Sequence, residues 1–197
     1  MKIFYSPASP YSNKVRMAAH HCGLAAQSVL TETSASPPEL IAANPLGKIP
    51  VLVTEDGSAI YDSRAIMRFI DRETGGRLYA GTETATPTDI DVVEALCDGI
   101  CDSLLSIVYE RRTRPPERQH QPWIDRQWAK VVRALDHLEA NIPQAGPDLH
   151  AGHFALAAML RYIELRFAGT WQEGRPRLAA WPGAFEAHFP AYPSFYA

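Results

Sequence analysis

The chain has 197 residues, of which 46% are hydrophobic and 21% charged, and its formal net charge is -3. That balance supports a buried core and one large or two small domains. It lacks the basic excess of a nucleic-acid binder, and no apolar stretch approaches the length needed to span a membrane, so neither nucleic acid nor a membrane is expected as a partner.

The chain begins on a strand-like run, Lys2-Ile3-Phe4-Tyr5, with no charged region followed by a long apolar segment, so no signal peptide is expected. The run stops at Ser6-Pro7. Ser9-Pro10 then opens a helix, serine as the N-cap and proline in the first helical position, where its missing N–H does no harm. That helix carries Val15, Met17 and Ala18 and ends near Cys22-Gly23, with glycine supplying the left-handed residue beyond the end. A strand at Gln27 to Leu30 and a short helical piece near Pro38 to Ala42 follow. The runs Ile49 to Val53 and Ser58 to Tyr61 flank Asp56-Gly57, a hairpin signal. Asp62-Ser63 caps a helix with apolar positions Ile66, Phe69 and Ile70, ending at Gly75-Gly76. The order β-α-β-α-β-β-α implies a parallel strand pair and then an antiparallel edge.

Leu78 to Pro87 is Thr- and Gly-rich and reads as a linker. Beyond it only helices are predicted. Ile90, Val93, Cys97, Ile100, Leu104 and Val108 recur at helical spacing, as do Ile124, Trp128, Val131, Leu135, Leu138 and Ile142. Phe154 to Phe167 is apolar nearly all round, the mark of a buried helix. A last helix is predicted from Leu178 to Phe189. The odd number of cysteines (Cys22, Cys97, Cys101), in a chain too large to need disulfide staples, predicts a reducing, cytoplasmic setting. Cys97 and Cys101 lie one helical turn apart, but nothing nearby completes a familiar zinc pattern, so they are read as apolar-face residues and no metal is expected.

Three features carry chemistry. Tyr5-Ser6-Pro7-Ala8-Ser9-Pro10-Tyr11 places a hydroxyl, Ser9, at a helix start, where free N–H groups and the positive end of the helix dipole stabilise an anion. Ser6 and Ser12 are rival hydroxyls. In Asn44-Pro45-Leu46-Gly47-Lys48-Ile49-Pro50, a cis Ile49–Pro50 bond would turn the Ile49 N–H and C=O outward to pair with an extended peptide. Lys48 would meet a carboxylate or remain solvated. Tyr61-Asp62-Ser63 straddles a helix N-terminus, able to hold an α-carboxylate and an α-amine or simply to cap the helix.

In this order and spacing the features resemble the cytosolic glutathione transferase family, over essentially the whole chain. The buried run Leu156-Ala157-Ala158-Met159-Leu160-Arg161-Tyr162 and the tail Pro193-Ser194-Phe195 resemble its C-terminal part. The resemblance implies an α/β thioredoxin-like domain over residues 1–78 and an all-α domain over 88–197. It implies glutathione as cosubstrate, no metal, and a homodimer active in detoxification by conjugating the thiolate to a small hydrophobic electrophile. Ser9 would be the catalytic hydroxyl, as in serine-type members, with Tyr5 a lesser candidate. The backbone of Ile49, held by Pro50 and flanked by Lys48, would bind the cysteinyl part, and Asp62 and Ser63 the γ-glutamyl part. Ala8, Pro10, Tyr11, Tyr109 and Arg112 would line the electrophile pocket, while Arg111, Arg112 and Arg114 together read as a solvated helix end. Pro10 stands where cysteine-type members carry their cysteine. The same site could serve isomerisation, dehalogenation or peroxide reduction, or bind glutathione and apolar ligands without turnover. The family opens its buried helix with Ser or Thr and then Asp three residues on; here those places hold His150 and His153. Either a neutral imidazole caps the helix, or Asp148 or solvent does.

Overall fold

The structure is a computed structural model describing residues 1–196. Its elements are β1 (Lys2–Tyr5), α1 (Pro10–His21), β2 (Gln27–Leu30), α2 (Pro38–Ala43), β3 (Val51–Val53), β4 (Ala59–Ile60) and α3 (Ser63–Glu73). Then follow α4 (Pro87–Thr113), α5 (Gln121–Ala140), α6 (Ala151–Phe167) and α7 (Pro176–His188), with 3-10 turns at Thr33–Ala35, Pro116–Arg118 and Tyr192–Phe195.

The strands form one sheet in the order β2-β1-β3-β4. β1 pairs in parallel with β2, Phe4 opposite Val29, and antiparallel with β3, Ile3 opposite Leu52. β4 adds the antiparallel edge, Leu52 opposite Ile60. The hairpin loop is wider than the Asp56-Gly57 signal implies. The Thr54 N–H bonds the Ser58 C=O at 2.9 Å, and Gly57 takes φ 86°, a left-handed value that favours glycine. β3 begins only at Val51, because Pro50 has no N–H to give the ladder.

One hydrophobic cluster runs from Ile3, Val15 and Met17 through Ile90 and Leu104 to Phe154, Leu156 and Phe185, so the two halves share a core. Helix α1 lies between the sheet and α6. A smaller cluster, Phe4, Leu40 and Val51, sits on the other sheet face beneath α2. Every residue of α6 from Ala151 to Leu160 is buried, as its all-round apolarity predicts. Helix α4 starts with a capping box: the Asp89 N–H donates to Thr86 Oγ1 at 3.2 Å, and the Thr86 N–H to Asp89 Oδ2 at 2.9 Å.

Two polar clusters bind the halves together. Lys14, in the buried face of α1 and 1% exposed, donates to Glu94 Oε1 at 2.9 Å and to both Asp98 oxygens at 2.8 Å. The Tyr79 hydroxyl donates to the other Glu94 oxygen at 2.6 Å. Burial alone would push the Lys14 ammonium down, but Asp98 and Glu94 outweigh it and hold it above its ordinary range. Farther along α1, the Arg16 guanidinium lies 3.9 Å from the Tyr5 ring and 5.2 Å from the Phe195 ring, and donates to the Phe195 C=O at 3.2 Å.

His150 is the N-cap of α6, and His153 makes the return half of a capping box: its Nδ1 accepts the His150 N–H at 3.2 Å. The opposite nitrogen, Nε2, faces the Gln144 C=O at 2.9 Å and must donate, so the ring is neutral with its proton on Nε2. The two imidazoles lie 3.7 Å apart, and His150 Nδ1 is buried with no hydrogen-bond partner. Burial pushes His150 down to about 3 and His153 to about 4. Among the described residues Asp148 makes no hydrogen bond to the start of α6, where His150 is the N-cap.

Candidate functional site

The starts of α1 and α3, the loop before β3 and the inner faces of α4 and α6 enclose a cavity of 590 Å³. It brings together Ala8, Ser9, Pro10 and Tyr11 from α1 and its approach, Lys48, Ile49 and Pro50 from the loop, and Asp62 and Ser63 from α3. Tyr109 and Arg112 come from the end of α4.

Ser9 caps α1. Its Oγ accepts the Ser12 N–H at 3.2 Å, and its own N–H returns to the Ser6 C=O at 3.0 Å, closing the turn between strand and helix. Asn13 Nδ2 pins that turn through the Pro7 C=O at 2.7 Å. The cap uses a lone pair of the Ser9 hydroxyl and leaves its proton free to donate into the cavity. The rival hydroxyls differ in place: Ser6 also lines the cavity, whereas Ser12 is 0% exposed and outside the lining. Tyr5 is outside it too, its ring turned onto Arg16. Tyr11 lines the cavity but its hydroxyl is committed to Asp102 of α4, and burial followed by nearby charge raises its phenol far above the ordinary range.

The loop before β3 is held by Asn44, 2% exposed, whose Nδ2 donates to the Lys48 C=O at 2.9 Å and whose Oδ1 accepts the Leu46 N–H at 3.0 Å. Gly47 takes φ 61° between them. The Ile49–Pro50 bond is cis, as is Tyr61–Asp62. Among the described residues neither the N–H nor the C=O of Ile49 has a hydrogen-bond partner. Asp62 caps α3, its carboxylate accepting the Arg64 N–H at 3.0 Å. The Ser63 N–H remains unpaired among the described residues at that helix start, where an anion is favoured.

The structure adds residues that sequence reading did not single out. Asp98, between Lys14 and Arg64 (Nε at 3.2 Å), reaches the cavity wall, and burial pushes its carboxyl up against the pull of Lys14. Tyr162 and Arg166 of α6 join Leu105 and Val108 of α4 in the lining. Burial raises the Tyr162 phenol to about 12, with Arg166 opposing. A signal existed for Asp98: Glu94, Asp98 and Asp102 repeat every four residues beside the apolar stripe of α4, and such a row demands a cation. Among the described residues no group of three or more His, Cys, Asp or Glu is arranged to hold a metal, and no helix is long and apolar enough to cross a membrane.

Comparison with known proteins matches this architecture. Residues 8–73 match the N-terminal domain of glutathione S-transferases and residues 121–181 the C-terminal domain. A glutathione S-transferase from Methylobacillus flagellatus, solved with glutathione bound, is 33% identical with a TM-score of 0.85, covering 97% of this chain and 98% of that one. A glutathione transferase family member from Pseudomonas fluorescens, solved with bound S-(propanoic acid)-glutathione, is 29% identical with a TM-score of 0.84, covering 100% and 98%. The GST-like protein YibF of Escherichia coli is 29% identical over 182 residues, 90% of each chain. A thioredoxin-like α/β half, an all-helical half and matches along both place this chain in the glutathione S-transferase family.

Proposed function

We propose that the protein binds glutathione, holds its sulfur as a thiolate beside Ser9, and adds that sulfur to a small hydrophobic electrophile. Residues 1–78 supply the glutathione half of the site and residues 88–197 the electrophile half. The observation that carries this reading is Ser9 itself. Its oxygen is occupied by the helix cap and its proton is left to donate, at the start of α1 and inside the cavity. A hydrogen bond to the thiolate favours the charged form, and the helix dipole acts the same way. Ile49 offers an unpaired N–H and C=O for the cysteinyl unit. The start of α3, with Asp62 and Ser63, suits the γ-glutamyl carboxylate and amine, and Lys48 the other carboxylate. Relatives solved with glutathione and with an S-substituted glutathione support both the ligand and room beyond its sulfur.

The reaction is a nucleophilic addition or displacement. The thiol proton leaves to solvent, the C–S bond forms, and any leaving group departs with its electron pair. The protein lowers the thiol pKa, orients the sulfur and excludes water. A homodimer acting in the cytoplasm in detoxification is part of the same reading. The test is Ser9→Ala, followed by turnover with an activated aryl halide and by thiolate absorbance of bound glutathione against pH. Losing one preorganised donor typically lowers turnover about 10²- to 10³-fold, with the bound thiol titrating at higher pH and glutathione affinity little changed. Ser12→Ala is the control. Unchanged turnover and titration in Ser9→Ala would show that another group holds the sulfur. Bound glutathione with no thiolate at neutral pH in the unaltered protein would make it a binding protein.

A further inference from the structure

The cavity wall formed by α4 changes character along its length. Its lining residues are Asp98 and Asp102, then Leu105, Val108 and Tyr109, then Arg112. The spacing keeps one helix face toward the cavity. Ten residues separate Asp102, which holds Tyr11 beside the proposed sulfur site, from Arg112, an axial rise of about 15 Å. Helix α6 contributes Tyr162 and Arg166 to the lining, and both Arg166 and Arg112 lie near enough to act on the Tyr162 phenol.

The charges in this cavity are not equally free. Asp98 is matched by Lys14 and Arg64, Asp102 accepts the Tyr11 hydroxyl, and the exposed Glu32 is held by the Ser34 N–H and hydroxyl at 3.0 and 2.8 Å, with Arg112 acting on it only through space. Arg112 and Arg166 have no ion-pair or hydrogen-bond partner among the described residues; the Arg112 guanidinium stands 5.9 Å from the Tyr109 ring. Their position in the last turns of α4 and α6 suits the helix dipole, but that serves Arg111 equally, and Arg111 lies over Phe167, outside the lining.

Building on the conjugation reading, we propose that the electrophile carries a carboxylate. Its reacting carbon sits near Ser9 and Tyr11, its apolar body lies on Leu105, Val108 and Tyr162, and its carboxylate meets Arg112 and Arg166. The anionic group takes no part in the chemistry. It places the electrophilic carbon at the sulfur and selects among substrates of equal reactivity.

The experiment compares two aryl chlorides, a chlorodinitrobenzene and the same ring bearing a carboxylate para to the chlorine. In both the C–S bond forms, the C–Cl bond breaks, chloride leaves and the thiol proton goes to solvent. The quantity read is the ratio of kcat/KM for the carboxylated over the neutral ring, in the unaltered protein and in Arg112→Gln, Arg166→Gln and Arg111→Gln. Each cavity substitution is expected to lower the ratio about three- to tenfold, the range for a partly exposed charge-assisted contact, while Arg111→Gln leaves it unchanged. A ratio unmoved by both cavity substitutions, or lowered equally by Arg111→Gln, overturns the proposal. If neither ring is turned over although glutathione still raises the melting temperature, the conjugation reading fails separately. The anion preference is then read by calorimetry from the Kd ratio of the two preformed S-aryl glutathione conjugates, with the same criterion across the variants.

Discussion

Acid should weaken this fold through two particular imidazoles. His150 and His153 stand buried at the start of α6, and His153 Nδ1 accepts a backbone N–H. A proton on that nitrogen would turn an acceptor into a donor facing a donor. In the unfolded chain each imidazole protonates near pH 6.5. In the folded chain burial pushes them down to about 3 and about 4. Depressed folded values mean that nothing is lost above pH 7, where both states are neutral. Below 6.5 the unfolded state gains protons that the native state refuses, and stability falls toward the folded values. From pH 8 to pH 5 each histidine acting alone then costs about 2 kcal/mol. The perturbation is His150→Ser combined with His153→Asp, which rebuilds a serine–aspartate capping box and adds about 1 kcal/mol at pH 8. Urea unfolding at pH 5, 6, 7 and 8 gives the stability of both proteins, and groups common to both cancel in the difference. The gap between variant and parent should widen by about 2 to 4 kcal/mol from pH 8 to pH 5. A gap independent of pH would refute both the burial of the rings and the acceptor geometry of His153.

Lys14→Met removes the cation between two buried carboxylates and should destabilise by about 3 to 5 kcal/mol, because an uncompensated buried charge remains; urea unfolding that shows less than about 1 kcal/mol would mean solvent reaches Asp98 and Glu94. Gly152 is packed under the His150 ring: a Cβ there would lie 3.0 Å from Val93 Cγ1 and 3.1 Å from His150 Cε1. Gly152→Ala should therefore be more favourable by about 1 kcal/mol or more in a His150→Ser background than in the parent, a coupling read by a double-mutant cycle. Additive effects would place the ring elsewhere.

What could be read from sequence was what the backbone demands locally. Ser9-Pro10 and Asp62-Ser63 announce helix starts within a few residues, and the turn before β3 is marked by Pro50 and Gly47. The capping box at Thr86 and Asp89 is equally local, but it straddles the end of the Thr- and Gly-rich stretch, so α4 begins earlier than its apolar repeat suggests. The cavity wall was a different matter. Tyr11 meets Asp102 across 91 positions, and Lys14 meets Asp98 across 84, so the partners are chosen by how α1 packs on α4. Arg166 had no local mark at all, since an arginine in a last helical turn is ordinary. The histidines of α6 stood out as departures from a capping pattern, but the orientation of each ring is fixed by Gln144 and Gly152, which no pattern at the cap contains.

Arg16, clasped between Tyr5 and Phe195, sets a condition on synthesis. The ribosome makes Tyr5 and Arg16 before Phe195, which follows Arg16 by 179 positions. Until α6 is made, α1 and its N-cap Ser9 have no finished wall opposite, and until Phe195 is made α1 lacks the closing turn as well. A nascent chain should thus display the serine and its helix start long before it can shelter a ligand there. Closure of the clasp follows, and a chain arrested short of it would carry Ser9 and the other residues of the proposed sulfur site without the finished cavity around them.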